Sequence, residues 1–428
     1  MSAPVVPDQT WYAATATCPP KTGHLCGDAC ADVAIVGGGF TGLGAALELC
    51  AHGIQPLLIE AGELGDGASG RNGGQAHIGQ RRDQIWLERV MGQADARKLW
   101  DLALDARADL DRLIGTHGID CALTPGVFET DHKRRYLAET QHYVQHLNEV
   151  YDYPHVRFVG AEECRTLVAS PGYYGGRLDT YAAHLHPLNL ARGMAKAALV
   201  GGAGLRTHSP ATALARTAQG WRISTPHGEI TADKVILAGD GMLQRLYKPL
   251  DARVMPINNF IAVTAPLGEE RARALIANNY AVSDSRFVVY YFRMTPDHRL
   301  LFGGGENYSY TFPKNIAAFV RPHIARIFPP LRDVAIDYAW GGTLGITANR
   351  MPLVRELEPG LYTAAGYSGL GVILAPYFGK ILAQAIAGER AGFDTLARIP
   401  NMRFPGGAAL RWPTLVAAMS LFALRDRL

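Results

Sequence analysis

Val33-Ala34-Ile35-Val36-Gly37-Gly38-Gly39-Phe40-Thr41-Gly42-Leu43 is the stretch on which the reading of this chain turns. Val33–Val36 has the apolar content of a short buried strand. Leu43, Ala46, Leu47 and Cys50 then recur at helical spacing. His52-Gly53 stops that helix, and Leu57-Leu58-Ile59-Glu60 reads as a second strand, which completes a βαβ unit. Gly37-x-Gly39-x-x-Gly42 falls at the strand-to-helix turn. The first glycine allows the tight turn, the second lets a pyrophosphate approach the backbone, and the third lets helix and strand pack closely. The helix N-terminus offers free N–H groups and a positive dipole to the phosphates. Glu60 ends the second strand 18 residues beyond Gly42, where an acid accepts from ribose hydroxyls. A bare glycine-rich turn has no use for that acid. Gly37, Gly39, Phe40, Thr41, Gly42, Glu60 and Ala61 are therefore the expected dinucleotide contacts of this unit.

Outward from that unit, the composition bounds the class. Glycine accounts for 47 of 428 residues, and Lys+Arg of 42 against Asp+Glu of 39 leaves a formal charge of +3. A hydrophobic content of 48% excludes disorder. The glycines have no three-residue period, which excludes collagen. The balanced charge, with no basic stripe, argues against a nucleic-acid binder. The apolar run 361–378 contains three glycines and Pro376, and Leu415–Leu424 is half of the ~20 residues that span a bilayer, so no transmembrane segment is expected. Met1–Thr15 does not read as a signal peptide. The six cysteines lack CxxC spacing and read as reduced thiols of a cytoplasmic protein.

Helical periodicity is expected around Trp86–Leu113, Arg134–Val150 and Leu190–Leu199. Strands are expected near Trp221–Thr225 and Val235–Ala238, and an antiparallel sheet over Met255–Trp340. Tyr377, Ile381, Leu382 and Ile386 mark a late helix. The expected fold class is α/β: a Rossmann-like nucleotide-binding domain with a second, substrate domain built on a mixed or antiparallel sheet. The nucleotide-binding domain is expected to be discontinuous, over 31–80, 155–250 and 341–395. The substrate domain is expected from 251–340, with helical insertions from 81–154, a lead-in at 1–30 and a tail at 396–428.

Ala68-Ser69-Gly70-Arg71-Asn72-Gly73-Gly74 follows Glu60 closely and offers backbone donors, a cation and an amide. Here the chain resembles the FAD-dependent D-amino-acid oxidase and glycine oxidase superfamily, and within it the bacterial gamma-glutamylputrescine oxidoreductases. The resemblance extends to Trp11-Tyr12-Ala13-Ala14-Thr15, to His184-Leu185-His186-Pro187-Leu188-Asn189-Leu190, to Arg293 with Arg299–Gly304, and to Trp340-Gly341-Gly342. It continues through Gly345–Pro352, Gly366-Tyr367-Ser368-Gly369-Leu370-Gly371-Val372 and Phe404-Pro405-Gly406-Gly407.

The resemblance implies FAD, held by the residues named above together with Ser69, Gly70, Arg71, Asn72, Gly73, Gly74, Ala211, Gly342, Gly366, Tyr367, Gly369, Leu370, Gly371 and Val372. Glycines at 366, 369 and 371 let backbone lie against a flat ring, and the helix that follows turns its positive end toward the reduced flavin. Relatives of the sarcosine oxidase branch carry a flavin linked to a C-terminal cysteine, but no cysteine follows Cys164 here. The histidyl-linking position of other relatives matches Gly74, with His77 out of register. Non-covalent FAD is expected. The substrate-binding lysine of the sarcosine branch matches Ile373, so sarcosine is not the expected substrate. The flavin-proximal lysine tied to dioxygen activation is also missing near Leu301. Ala238-Gly239-Asp240-Gly241 departs from the family's Gly-Asn-Ala.

The implied reaction is oxidation of an amine by hydride transfer to flavin N5, followed by imine hydrolysis. With gamma-glutamylputrescine it gives gamma-glutamyl-aminobutyraldehyde, ammonia and hydrogen peroxide, a step of putrescine catabolism. Dioxygen or another acceptor takes the electrons, and oxidase is favoured over dehydrogenase. The alternatives are a D-amino-acid or N-methyl-amino-acid oxidoreductase of the same fold, a flavin hydroxylase, and a non-catalytic flavin-binding protein. Such chemistry needs position and field more than acid–base groups, and no Ser/His/Asp triad stands out. Tyr291, Arg293, Trp340 and Tyr367 are the candidate catalytic residues, with Tyr290 a further aromatic. Arg293 or Arg286 is placed to hold a substrate carboxylate. Because strand neighbours point oppositely, Tyr290 and Tyr291 are not expected to share one pocket. His184-x-His186 reads as a helix entry and not a metal site. Arg81-Arg82 and Lys133-Arg134-Arg135 read as solvated surface, and Leu415–Leu424 as a stretch packed on the protein.

Overall fold

The computed structural model describes residues 9–243, 246–307, 311–413 and Val416; most of the 415–424 stretch lies outside them. Two sheets organise these residues. The first is built on parallel strands in the order Leu361–Ala365, Gly228–Leu237, Ala29–Val36, Leu57–Ile59 and Gly204–Arg206. Leu353–Glu358 adds an antiparallel edge. Ala213–Thr217 and Gly220–Thr225 form a meander with the long strand Gly228–Leu237. The helices Phe40–Ala51, Pro187–Val200 and Leu374–Ala387 bury Leu43, Leu49, Met194, Phe378 and Leu382 in one apolar core with Ile35, Leu58 and Ile236. The Phe40–Ala51 helix carries glycine at 44, and Pro376 of the last helix crosses there: a Cβ on Gly44 would lie 2.1 Å from the Pro376 carbonyl.

The second sheet runs Ile336–Ile346, Met255–Thr264, Leu300–Asn307, Tyr291–Met294, Ala281–Asp284, Thr124–Thr130, Gly176–His184 and Gln75–Ala76, with Val156–Val159 also on Gly176–His184. Within this sheet, only the pairing of Ala281–Asp284 with Thr124–Thr130 is parallel among the described strands. Its register sorts side chains by face. Leu178, Phe128, Val282, Phe292, Phe302, Ala262 and Ala339 form one continuous row across the strands. All seven sit in the core that helix Ile316–Ile327 covers through Val320 and Ile324. The residues one position along therefore face the other way, toward the dinucleotide unit.

The βαβ unit and the late helix lie where periodicity puts them. The periodic stretch from Trp86 is two helices, Gln84–Met91 and Gln93–His117, because Gly92 has φ +81° and ends the first. The expected domain limits need correction. Val156–Val159 and Gly176–His184 belong to the second sheet, not to the nucleotide-binding segment 155–250, and the helical insertion 81–154 contains the strand Thr124–Thr130. Ile336–Ile346 likewise carries the second sheet past residue 341. Alternation alone does not say which sheet a strand joins; the partner does, and partners here are distant in sequence. The expected strand at Phe287–Phe292 begins only at Tyr291.

Candidate active site

At the first glycine turn, Gly37 has φ +117° and its N–H donates to the Ile59 carbonyl at 2.9 Å. A Cβ on Gly42 would stand 1.9 Å from the Gly37 oxygen, and one on Gly39 would stand 2.8 Å from Ser69 Oγ. Helix Phe40–Ala51 has no side-chain cap from Gly39 and no acid in its first turn. Ser69 of the second loop reaches over to accept from Phe40 N–H at 2.9 Å. Glu60 accepts from Gly38 N–H at 2.6 Å and from Gly62 N–H at 3.0 Å, which fixes the carboxylate at the strand end beside exposed Ala61. Ser209, whose N–H donates to the Glu60 carbonyl, brings Pro210-Ala211 alongside.

The second loop is a single helical turn, Ala68–Arg71, closed by Asn72. Asn72 Nδ2 donates to Ala68 and Ser69 carbonyls, and its Oδ1 accepts from Gly74 N–H at 2.7 Å. Arg71 donates to the Asp66 carbonyl at 2.8 Å and to that of Gly341 at 3.4 Å. Trp340 Nε1 donates back to the Arg71 carbonyl at 3.0 Å. These bonds fasten the loop to the second sheet. Gly342 lies against this loop, where a Cβ would stand 3.4 Å from that of Arg71, an ordinary contact.

The third loop turns through left-handed backbone at Gly366 (φ +75°), Ser368 (φ +54°) and Gly369 (φ +92°). Asp240 holds it. Its two carboxylate oxygens accept from Gly366 N–H and Gly345 N–H, each at 2.6 Å. Burial pushes the Asp240 carboxyl up, and the amide bonds oppose that. Ser368 N–H donates to the Gly345 carbonyl, and Arg81 Nε to that of Ser368 at 2.9 Å. Tyr367 is buried with its hydroxyl 2.7 Å from Thr41 Oγ1, joining the third loop to the first; burial raises its ionisation far above the usual phenol range. Helix Leu374–Ala387 begins without a side-chain cap, while Leu370 and Gly371 remain partly accessible in front of it.

Three loops with backbone that a Cβ would fill, a ribose-ready acid and two helix N-termini without acids fit a flavin dinucleotide. Arg81 and Arg82 depart from the surface reading: Arg82 Nε donates to the Asn349 carbonyl at 2.9 Å, so both arginines brace the pieces expected to hold the flavin. Asp240, which the sequence presents only as a departure from a motif, is the bracket between two of those pieces.

Of the four candidate catalytic residues, Tyr291 lies against the second loop. Its ring spreads over Gly73 and Gly303, and its hydroxyl donates to Asn259 Oδ1. Tyr290 points the other way, into the helix-covered core, with its hydroxyl 2.7 Å from His323 Nδ1. Trp340 is fully buried in a cluster with Tyr12, Leu301 and Tyr291, its indole N–H spent on Arg71.

Arg293 is a correction. Its guanidinium is buried and donates to the carbonyls of Gly73 (3.0 Å), Leu185 (3.1 Å) and Met294 (3.3 Å) and to Tyr12 Oη (3.3 Å), so no free fork is left for a carboxylate. Arg286 pairs with buried Asp284, whose carboxyl burial pushes up to about 6, and lies over Tyr290 and Tyr173 on the helix-facing side. Tyr12, in the helix Trp11–Thr15 that Thr10 caps, is the partner the sequence does not reveal. His186 caps helix Pro187–Val200 by accepting from Asn189 N–H, as a helix entry should. No cluster of His, Cys, Asp and Glu suited to a metal occurs among the described residues, and no described helix is long and apolar enough to cross a membrane.

The class follows from these loops. Residues 32–385 match the model of the FAD dependent oxidoreductase family, and the chain belongs to that family. It is an FAD-dependent oxidoreductase of amines or amino acids. More particularly, it is 40% identical over 428 residues to a probable oxidoreductase, OrdL, of Rhizobium meliloti, covering 99% of both chains. It is 36% identical to the gamma-glutamylputrescine oxidoreductase of Escherichia coli, covering 93% of each. Among solved structures, the glycine oxidase of Geobacillus kaustophilus superimposes with a TM-score of 0.72 at 21% identity, over 88% of this chain and 100% of that one.

Proposed function

We propose that the protein oxidises gamma-glutamylputrescine at its primary amine, giving the aldehyde, ammonia and hydrogen peroxide with dioxygen as acceptor, and that its FAD is not covalently linked. The 36% identity to the Escherichia coli enzyme over 93% of both chains supports the substrate. The observation that carries the reading is the aromatic wall: Tyr291, lying over Gly73, with Trp340 and Tyr12 behind it, is directed at the flavin-binding loop.

Bound FAD supplies the two-electron acceptor. The chain's own residues do the rest by placement. Tyr291, backed by Trp340, excludes water and presents a flat face to an alkylamine, and the neutral amine is the reactive form. The uncapped N-terminus of the Leu374–Ala387 helix would hold the flavin ring and stabilise negative charge on its reduced form. Water then splits the imine to aldehyde and ammonia. Neither Arg293 nor Arg286 has a free fork for the carboxylate of an amino-acid substrate. A cytoplasmic location belongs to the same proposal, since all six cysteines are free thiols.

The test is a panel of amines and D-amino acids with aldehyde and peroxide both measured. Preference for gamma-glutamylputrescine with one peroxide per aldehyde is expected. Faster turnover of a D-amino acid overturns the substrate, and slow reoxidation of the reduced enzyme in air overturns dioxygen as acceptor.

A further inference from the structure

The flavin-facing side of the second sheet carries its own row: Arg177, Glu129, Ser283, Tyr291, Gly303, Ile261 and Trp340, each paired with the next across neighbouring strands. The matching row on the other face is wholly apolar. Tyr291, at the centre, touches the flavin-binding loop. Arg177 and Glu129 stand at the far end, beyond small Ser283. They meet through one contact, Nη2 to Oε2 at 2.7 Å. Arg177 stacks on the Tyr143 ring at 4.8 Å, and no partner is recorded for its Nε and Nη1 among the described residues. Glu129 Oε1 lies 3.6 Å from His77 Nδ1, and His77 is tied to Gln75 next to Gly74. Side-chain exposures of 26% for Arg177 and 34% for Glu129 leave both reachable.

We infer that Arg177 and Glu129 form the distal specificity subsite, which reads the α-carboxylate and α-ammonium of a substrate whose reacting amine lies at its other end. The assignment rests on the amine-oxidation reading and adds to it which residues select the substrate. Geometry suits it. Strands lie about 4.8 Å apart, so Glu129 is about 10 Å and Arg177 about 14 Å along the row from Tyr291. The nine bonds from the terminal amine to the α-carbon of gamma-glutamylputrescine equal three residues of extended backbone, a reach of about 10 Å. Chemistry suits it as well. A guanidinium with two spare nitrogens takes a carboxylate, a carboxylate with an accessible oxygen takes an ammonium, and their mutual contact keeps the opposite charges side by side as a zwitterion requires. Neighbouring Asp179 does not compete, since its oxygens accept from Tyr153 Oη and from the Tyr181 and Ala182 amides.

The test is flavin difference spectroscopy on the FAD-loaded enzyme with two unreactive ligands: gamma-glutamylbutylamide, which has the head, and N-acetylbutylamine, which lacks it. The wild type is expected to bind the first 10- to 100-fold more tightly, the worth of charged hydrogen bonds at one end. Arg177→Met is expected to bring that ratio to within about threefold, Arg177→Lys to restore part of it, and Glu129→Gln to lower it for ligands that carry the ammonium. A wild-type ratio near one overturns the assignment and needs no variant. A ratio that Arg177→Met leaves unchanged overturns it too. Neither ligand is oxidised, so head-dependent binding in a protein whose flavin no amine bleaches sinks the amine-oxidation reading and keeps the subsite. Bleaching by N-acetylputrescine and gamma-glutamylputrescine alike, with a ratio near one, does the reverse.

Discussion

Replacing Asp240 with Ala removes the acceptor for two backbone amides, those of Gly345 and Gly366, each held at 2.6 Å. A hydrogen bond to a charged group is worth about 1.5–3 kcal/mol, so two bracket a loss of about 3–6 kcal/mol. Asp240 is partly accessible, and water can take over some of the duty, which places the expected loss near 3 kcal/mol. The penalty falls on two of the candidate flavin-binding pieces at once, because Gly366 opens the left-handed loop and Gly345 accepts from Ser368 N–H. Asp240→Asn is not conservative here. Its single carboxamide oxygen serves one amide while its NH2 faces the other N–H, so about half the loss is expected. Urea unfolding of the FAD-loaded protein gives the stability change, and fluorescence titration of FAD into the apoprotein gives the affinity. An Asp240→Ala protein that unfolds at the wild-type urea concentration and binds FAD equally well refutes the bracket.

Gly42→Ala drives a Cβ into the Gly37 carbonyl oxygen at 1.9 Å, a backbone atom that cannot swing aside. About 3 kcal/mol of overpacking, or roughly a hundredfold in FAD affinity, is expected by the same titration. Arg293→Ala strands the Gly73 and Leu185 carbonyls, so lower thermal stability and weaker FAD binding are expected. A loss confined to KM for carboxylate substrates returns Arg293 to the substrate. Burial depresses four histidines below the usual ~6.5: His184 to about 3, His186 and His132 to about 4, and His323 as well. Each depressed group leaves stability intact above pH ~6.5 and removes it as pH falls toward the folded value, because the unfolded chain binds the extra proton. Between pH 6 and 5 the expected decline is about 1.2 kcal/mol for each of His184, His186 and His132. His186→Asn preserves a capping residue and should make the decline shallower by one histidine in urea titrations at each pH.

The dinucleotide unit was legible because its signal is local: strand, three glycines, helix and Glu60 lie within 28 residues and act on each other. The helix entry at His186 and the opposite faces of Tyr290 and Tyr291 are local in the same sense. Arg81 and Arg82 were misread because nothing near them shows that Ser368 and Asn349, more than 260 residues away, offer carbonyls to their stems. Arg293 looked like a substrate fork for the same reason. Its partners, Gly73, Leu185 and Tyr12, converge only once the two sheets meet. Glu129 and Arg177 join the row of Tyr291 through strand register, which no window of sequence contains.

Anaerobic mixing of the FAD-loaded protein with gamma-glutamylputrescine, followed at the flavin absorbance band, tests the central claim most directly. Rapid, complete bleaching is expected, with one equivalent of aldehyde released per flavin. An oxidised spectrum that persists at saturating amine, across primary, secondary and α-amino-acid amines alike, contradicts it.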